Sequence, residues 1–335
     1  MTTMRVGIVG AGSMGVVHAA SWQQTPATLA GFFAESSHDA TRLAEKYNAR
    51  VYKNYAALLN DVDVVDICAP THLHHDFVLQ AAAARKHIIC EKPLARTMAQ
   101  GRAMLDACRN ANVKLLVAHV VRFFPQYALA KQNVANGSIG TPAVVRLARE
   151  SARPKRPPNN WFFDFEKSGG MLLDLMIHDF DYARWLAGEV ETVFAQSIAT
   201  ENPDAPLDFG LAILKHKNGA LSHITGAWAF PPPNFRTAIE IAGDAGLIEW
   251  KSADTAPLEF FLHERAGDFP DVGLPSSPLR EDPYTTQLQE FYDALLNDTP
   301  TRVTAEDGLA ALQIALAAIE SARLGKPISL AEARA

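Results

Sequence analysis

Three side chains that can handle protons and charge, Asp174, His178 and Asp181, recur along an apolar segment at residues 170–187. Their spacing is i, i+4 and i+7, so a helix would place all three on one face. A histidine titrates near neutrality and can accept a proton from an alcohol, while a carboxylate one turn away can bond its other ring nitrogen. The pattern predicts His178 as a proton acceptor held by a carboxylate of the same face. The alternative is a structural core histidine beside helix-capping acids.

A lysine with a complementary capacity lies in the tripeptide Glu91-Lys92-Pro93, directly after a predicted strand at residues 87–90. Open α/β sheets bind ligands at the carboxyl ends of their strands. An ammonium group there can bond a substrate oxygen and stabilise the alkoxide that forms as hydride leaves carbon. An isolated Glu-Lys ion pair on a surface contributes little to stability. The location of Lys92 after the end of a strand is what makes it a candidate catalytic residue.

A glycine-rich turn, Gly10-x-Gly12-x-x-Gly15, lies between a predicted strand and a predicted helix. Glycines there permit close backbone approach, so that a pyrophosphate can sit on the N-terminus of the helix. Glu35 stands twenty residues after Gly15, where a carboxylate can accept hydrogen bonds from both ribose hydroxyls and would repel a 2′-phosphate. The pattern predicts NAD as the cofactor and leaves NADP open. A purely structural glycine turn is the alternative.

A histidine-rich segment, residues 71–76, follows Pro70 at the end of another predicted strand. His74 and Asp76 lack the i, i+4 spacing of a helical zinc pair, and the chain contains no HExxH motif. We therefore expect no metal. The segment is expected to line the nicotinamide pocket and to cap the following helix.

Two kinds of segment must position these residues. Over the first 121 residues strands alternate with helices, which predicts a parallel sheet covered on both faces. The predicted strands are residues 4–9, 29–34, 62–69, 87–90 and 114–121, and the predicted helices are residues 38–47, 76–84 and 98–111, besides the one that follows the glycine turn.

After about residue 122 strands dominate, and Asn218-Gly219 predicts a hairpin. The predicted elements are one helix at residues 170–187, strands at 190–199, 208–215, 221–229, 237–241 and 247–250, and helices at 284–297 and 305–324. The fold class is therefore α/β: an N-terminal Rossmann domain with a doubly wound parallel sheet at residues 1–121, and a C-terminal α+β domain at residues 122–335. The second domain is expected to contain a large, mostly antiparallel, open-faced sheet that binds substrate and mediates oligomerisation.

Composition excludes several classes of partner. The 335 residues contain 31 Lys+Arg and 37 Asp+Glu, a net charge of −6, and neither sign runs in blocks, so we expect no nucleic-acid partner. No uninterrupted apolar stretch approaches 18 residues, so no membrane partner is expected. The three cysteines form no CxxC pair, which is typical of buried thiols in a reducing, cytoplasmic setting.

In combination these motifs resemble the Gfo/Idh/MocA family of oxidoreductases, which includes glucose-fructose oxidoreductase and inositol dehydrogenase. Several motifs occurring in the right order are far more specific than any one of them. The resemblance rests on residues 6–15, on 62–71 leading to His74, on 91–95, on Arg122-Phe123, on Gly169-Gly170 with Asp174, His178 and Asp181, and on 304–308.

The resemblance implies roles by position. Lys92 matches the catalytic lysine, His178 the proton acceptor and Asp174 its neighbouring acid. The sheet of the second domain is expected to build a homodimer or homotetramer. The residues that the resemblance assigns to the cofactor are Gly10, Gly12, Ser13, Met14, Gly15, Glu35, Ala69, Pro70, Thr71, His74, Glu91 and Lys92.

The expected activity is that of an NAD(P)-dependent dehydrogenase acting on the CH–OH group of a sugar, cyclitol or related polyol. Two alternatives stay open: an NAD-dependent glycosidase on the same fold, and a non-catalytic sensor that binds dinucleotide and sugar. The basic segment Arg153-Pro154-Lys155-Arg156 would suit an acidic or phosphorylated substrate, or is simply solvated.

Overall fold

The computed structural model describes residues 3–157, 159–199, 208–231, 235–252 and 282–331. The chain divides into two compact units. The first consists of Met1–Phe123, Glu166–Ser168 and Leu279–Leu309, and the second of Phe124–Phe165, Gly169–Pro278 and Ala310–Ala335. The expected division between residues 121 and 122 stays a prediction about domains. The compact units differ from this division because Leu279–Leu309, late in the chain, belongs to the first unit.

The first 118 residues contain alternating strands and helices. These are β1 Arg5–Val9, α1 Ser13–Trp22, β2 Thr28–Phe33, α2 Ser37–Tyr47, β3 Arg50–Val51, α3 Tyr55–Leu59, β4 Val64–Ile67, α4 His74–Ala83, β5 His87–Glu91, α5 Met98–Ala111 and β6 Leu115–Ala118. Two 3-10 turns, Thr71–Leu73 and Val120–Phe123, follow β4 and β6.

The strands of this unit form one parallel sheet in the order β3-β2-β1-β4-β5-β6. This confirms the predicted Rossmann sheet. Because β1 pairs with both β2 and β4, the strand order reverses beside β1, and a crevice at the carboxyl ends is where such sheets bind ligands. The sequence prediction missed β3 and α3, and it made two strands too long.

The later elements begin with two that the sequence prediction also missed. They are α6 Pro125–Ala135, β7 Pro142–Ser151, α7 Phe165–Ser168, α8 Gly170–Asp174, α9 Ile177–Ala187, β8 Val190–Ala199, β9 Asp208–His216, β10 Leu221–Trp228, β11 Phe235–Gly243, β12 Gly246–Lys251, α10 Pro283–Asn297, α11 Ala305–Leu324 and β13 Ile328–Ser329. Helix α10 belongs to the first unit, where it packs against α1.

The second sheet has the strand order β12-β11-β7-β10-β9-β8-β13, and every neighbouring pair except β7 with β10 is antiparallel. The mostly antiparallel sheet is thus confirmed, and so is the hairpin at Asn218-Gly219, where Gly219 has a φ of 93°. Side chains alternate along β9: Ala212 and Leu214 are fully buried, whereas Ile213 is 39% exposed. The sheet therefore has one covered and one open face.

One predicted element needs correction. The single helix expected at residues 170–187 is two helices, α8 and α9, separated at Leu175 and Met176. The carbonyl of Met171 accepts from the N–H groups of both Leu175 (3.0 Å, four residues on) and Met176 (3.1 Å, five residues on), and the first helix ends there. Over the described residues, every helix is either too short or too polar to traverse a lipid bilayer.

Candidate active site

The glycine turn joins β1 to α1 by close backbone contacts. The N–H of Gly10 donates to Phe33 (2.8 Å), and Gly10 has a φ of 107°, a conformation that favours glycine. A Cβ on Gly15 would lie 2.2 Å from the carbonyl oxygen of Gly10. The turn therefore needs glycine at both positions to bring the helix against the strand.

Gly12 has a different environment. A Cβ built there would meet no atom of the described residues within 4 Å, and its φ of −76° suits any residue. Gly12 is also the N-cap of α1 and, as a glycine, supplies no side-chain cap to the helix. The space over Gly12 and the first-turn N–H groups suits a pyrophosphate, because the N-terminus of a helix attracts negative charge. These residues fit NAD.

Glu35 follows β2 at the same edge of the sheet, and its side chain is exposed. The hydroxyl of its neighbour Ser36 caps α2 by accepting from the N–H of Asp39 (3.3 Å). The structure thus places Glu35 where the sequence expects the carboxylate that binds ribose, at the end of the strand beside β1.

The loop after β4 is tied to the loop after β5 by His74. Its ring is buried, with Nε2 2.9 Å from the carbonyl oxygen of Ala69 and Nδ1 2.9 Å from that of Pro93. Burial lowers the pKa of His74, and this effect outweighs the two carbonyl contacts, which favour the charged ring. Three expected cofactor residues, Ala69, Pro70 and Thr71, therefore sit in a loop held next to the Lys92 segment.

Glu91 is the last residue of β5 and is only 5% exposed. Its Oε2 accepts from the backbone N–H of Lys92 at 3.0 Å, and its Oε1 lies 3.0 Å from Nε2 of His18. Lys92 itself is half-buried, and the Lys92–Pro93 peptide bond is cis. The side chain of Glu91 thus points into the protein, toward buried polar residues behind Lys92 that the sequence did not predict.

The buried polar residues behind Glu91 are His18 and Asp66, and both are fully buried. Nδ1 of His18 lies 2.9 and 3.1 Å from the two carboxylate oxygens of Asp66, and the indole N–H of Trp22 donates to the same carboxylate at 2.7 Å. Burial disfavours the charged ring, but Asp66 outweighs it and raises the pKa of His18 well above the usual value. An aspartate inside the apolar strand Val-Val-Asp-Ile is the sequence feature that indicates such a buried partner.

Ligand atoms of His18, Asp66 and Cys68 lie within 4.8 Å of one another, a spacing that a metal ion could bridge. Burial raises the pKa of the Cys68 thiol to about 12, so it stays protonated at neutral pH. The thiol also donates to the carboxylate of Asp66 (Sγ–Oδ1 3.6 Å), so the three groups form a hydrogen-bonded network. The expectation of no metal stays a prediction.

The second unit carries Asp174, the last residue of α8, and His178, the second residue of α9. Both side chains are half-buried, whereas Asp181 is fully buried. The break between the two helices corrects the expectation of one continuous helical face. Lys92 belongs to the first unit and the other two candidate catalytic residues to the second, and their common site stays a prediction.

A buried ion pair fixes the start of α9. Arg149 on β7 donates to Asp179 from Nε (2.7 Å) and from a terminal nitrogen (3.0 Å), and both side chains are at most 2% exposed. Burial opposes the charge on Arg149, but Asp179 and Tyr127 raise its pKa above the usual value. Asp179 neighbours His178 in the chain, so the pair holds the backbone that carries it. Sequence reasoning missed this pair because β7 itself was missed.

Two glycines on the covered sheet face accommodate the break between α8 and α9. A Cβ on Gly226 would lie 2.4 Å from Cγ of Met176, and one on Gly210 would lie 2.8 Å from its sulfur. The turn between the helices therefore packs directly on the backbone of β9 and β10.

The basic segment lies against aromatic rings. The guanidinium of Arg153 is 4.6 Å from the ring centre of Phe163, and that of Arg156 is 5.5 Å from Phe162. Arg153 also lies 3.8 Å from a carboxylate oxygen of Asp208. Arg153 and Arg156 are therefore stacked on aromatic rings.

Two family models match the chain. One, described as an oxidoreductase family with an NAD-binding Rossmann fold, matches residues 4–119, and the other, described as a GFO/IDH/MocA C-terminal domain, matches residues 127–249.

Similar proteins cover nearly the whole chain. A myo-inositol 2-dehydrogenase of Thermotoga maritima is 31% identical over 339 aligned positions, covering 98% of this chain and 99% of that protein. A solved structure of levoglucosan dehydrogenase in complex with NADH and levoglucosan has a TM-score of 0.83 at 26% identity and covers 98% of this chain and 100% of that one. The structure of GenD2 from gentamicin A biosynthesis in complex with NAD has a TM-score of 0.86 at 25% identity, covering 98% and 97%.

Proposed function

Because the chain belongs to the Gfo/Idh/MocA family of oxidoreductases, we propose that it is an NAD-dependent dehydrogenase that oxidises a secondary alcohol of a sugar, cyclitol or related polyol. Family membership confirms the resemblance drawn from the motifs and NAD as the cofactor. The observation that supports the proposal is the open space at Gly12, next to the N-terminus of α1. This space lies at the edge of the sheet where β5 ends and Lys92 follows.

Residues of the first unit would hold NAD, which supplies a hydride acceptor when bound. Gly10, Gly12, Ser13, Met14 and Gly15 would carry the pyrophosphate and Glu35 the ribose hydroxyls. The loop of Ala69, Pro70, Thr71 and His74, with Glu91 and Lys92, would border the nicotinamide.

Residues of this chain would also manage the proton and the charge on the substrate oxygen. The ammonium of Lys92 donates a hydrogen bond to the alcohol oxygen, which favours the alkoxide. His178 accepts the hydroxyl proton, and Asp174 orients its ring and stabilises the imidazolium. The exposed carboxylate of Glu35 favours NAD over NADP, because it would repel a 2′-phosphate.

A substrate screen tests the activity. Purified protein is incubated with NAD or NADP and a panel that includes myo-inositol, scyllo-inositol, levoglucosan and simple aldoses at alkaline pH, and absorbance of the reduced nicotinamide is followed. We expect NADH to form with at least one polyol and more slowly with NADP. A glycosidase would instead release an aglycone without net NADH, and a sensor would do neither.

Two substitutions test the assigned roles. Lys92→Ala and His178→Ala should each lower kcat by a factor of about 10²–10⁴, while the Kd for NAD changes little. Lys53→Ala, which removes an exposed lysine of the same unit, is the matched control. Near-normal turnover by either variant would refute the role of that residue.

The open face of the second sheet supports a homodimer or homotetramer. Ile198 is 61% exposed, Leu221 46% and Ile213 39%, and the register places Ile213 beside Phe194 on one side and His223 on the other. Exposed apolar side chains spread over one sheet face are typical of an interface. Light scattering should show a multiple of the monomer mass, and Ile213→Arg should reduce it. A monomeric wild type would contradict this part of the proposal.

The three cysteines, Cys68, Cys90 and Cys108, are all free thiols, which supports a reducing, cytoplasmic location. Fractionation of cells that produce the tagged protein tests it, and recovery in an oxidising compartment would contradict it.

A further inference from the structure

A network of buried polar side chains lies behind Glu91. His18 comes from α1, Asp66 from β4 and Glu91 from the end of β5, and all three are at most 5% exposed. The ring of His18 lies between the two carboxylates, with Nδ1 2.9 Å from Asp66 and Nε2 3.0 Å from Glu91. Three elements of the first unit therefore meet at one imidazole.

The hydrogen-bond inventory favours a charged state of that ring. A neutral imidazole has one N–H, whereas here both ring nitrogens face carboxylate oxygens, which only accept when ionised. The other oxygens also face donors, because Trp22 donates to Asp66 (2.7 Å) and the backbone N–H of Lys92 donates to Glu91 (3.0 Å). The arrangement is satisfied when both acids are ionised and His18 is an imidazolium. Charged hydrogen bonds of this kind are stronger than neutral ones.

The network ends at the residue proposed to polarise the substrate. One oxygen of Glu91 is held by His18 and the other holds the N–H of Lys92. We propose that His18 is a positioning residue, which holds Glu91 and through it the backbone of Lys92, so that hydride transfer depends on His18 more than NAD binding does. This inference rests on the proposed role of Lys92. A displacement of the ammonium by about 1 Å is enough to cost a factor of about 10² in rate.

Two neutral substitutions at position 18 separate positioning from packing. In His18→Gln the amide reaches the place of Nε2 and keeps a donor for Glu91, whereas in His18→Asn it reaches only the place of Nδ1 and keeps a donor for Asp66. We expect His18→Asn to lower kcat with NAD and the best polyol of the screen by about 10–100-fold, with the Kd for NAD nearly unchanged. His18→Gln should retain most of the activity.

Trp22→Phe is the control for a merely structural effect, because the indole donates to Asp66 in the same network. It should lower thermal stability and leave kcat close to that of the wild type. If His18→Asn does not fold, Glu91→Gln replaces it, since it removes the charge that His18 holds and keeps the shape. In the wild type, NMR of protein labelled with [15N]histidine should show both ring nitrogens of His18 protonated at pH 8.

The outcomes distinguish this inference from the proposed function. Normal turnover by Lys92→Ala would refute the role of the lysine itself. A Lys92→Ala variant without activity beside a His18→Asn variant with normal kcat would overturn only the positioning role. Equal losses of kcat in His18→Asn, His18→Gln and Trp22→Phe would also overturn it, as would one bound metal ion per chain that disappears in His18→Asn.

Discussion

In the first unit the candidate groups follow from the order of parallel strands, whereas in the second they depend on contacts between residues far apart in sequence. The glycine turn, the loop at Ala69 and the Lys92 segment follow β1, β4 and β5, which are neighbours in one sheet. Asp174 and His178 instead flank a helix break that is held by Arg149 on β7 and accommodated by Gly226 on β10.

The difference shows two ways of placing reactive groups. Parallel strands bring their carboxyl ends to one edge, so the sheet topology brings the loops of the first set together, and the His18 network then fixes Lys92 within them. The second set requires a buried charge pair, which stabilises only while both partners are present. We therefore expect changes at the ligand-facing positions of the first unit to affect ligand binding while folding persists, and damage to the supports of the second to affect folding.

Removing one partner of the buried pair should have the largest effect. Asp179→Ala leaves the charge of Arg149 buried and uncompensated, and should lower the free energy of unfolding by about 3–5 kcal/mol. Urea unfolding measures this loss in the free energy of unfolding. The double variant Arg149→Met/Asp179→Leu should recover most of the loss, because it removes both charges. A small effect of Asp179→Ala would remove the contrast between the units.

Crowding the helix break should have the next largest effect. In Gly226→Ala the added Cβ would lie 2.4 Å from Cγ of Met176, and overpacking of this kind costs about 1–3 kcal/mol. The side chain of Met176 must shift, so kcat should fall as well because Asp174 and His178 flank it. Combining Gly226→Ala with Met176→Val should restore stability in part. Unchanged stability and turnover would show that the break tolerates displacement.

Much of the first unit could be predicted from the sequence, because each clue there is local. The strand, the glycine turn and the helix are contiguous, and Glu91-Lys92-Pro93 directly follows an apolar strand. The connection from Glu91 to His18 was not predictable in the same way. It joins residues 73 positions apart, and no local pattern links the two.

The second unit was harder to predict for a related reason. Strand β7 occupies the middle of its sheet but reads as a mixed segment, because Arg146 and Arg149 interrupt its apolar residues. One arginine is paired with Asp179 in the core, and the other with Glu240 on the neighbouring strand. Periodicity indicated helical structure at residues 170–187 but wrongly predicted one continuous helix, because the break depends on contact with Gly210 and Gly226, which periodicity does not report.

The imidazolium in the first unit should appear as a pH-dependent stability. The pKa of His18 is raised on folding, with Asp66, Glu91 and Cys68 around the ring. Its stabilising contribution is therefore complete below the unfolded pKa of about 6.5 and is lost as pH rises through the folded pKa. Between these values the free energy of unfolding should fall by up to about 1.4 kcal/mol per pH unit. His18→Gln should abolish this slope, and an identical slope in both proteins would assign it to another group.

The smallest effect is expected at Gly12, and Gly15 in the same turn provides the comparison. Gly12→Ala adds a Cβ into open space, so stability should not change, but the methyl group would occupy the space proposed for the pyrophosphate. The Kd for NAD should rise about tenfold, equivalent to ~1.4 kcal/mol. Gly15→Ala adds a Cβ 2.2 Å from the carbonyl oxygen of Gly10 and should instead lower the melting temperature. Calorimetric titration with NAD measures the Kd of both variants, and thermal unfolding measures their melting temperatures. Loss of stability in Gly12→Ala with unchanged NAD affinity would show that this turn serves the fold and does not bind the cofactor.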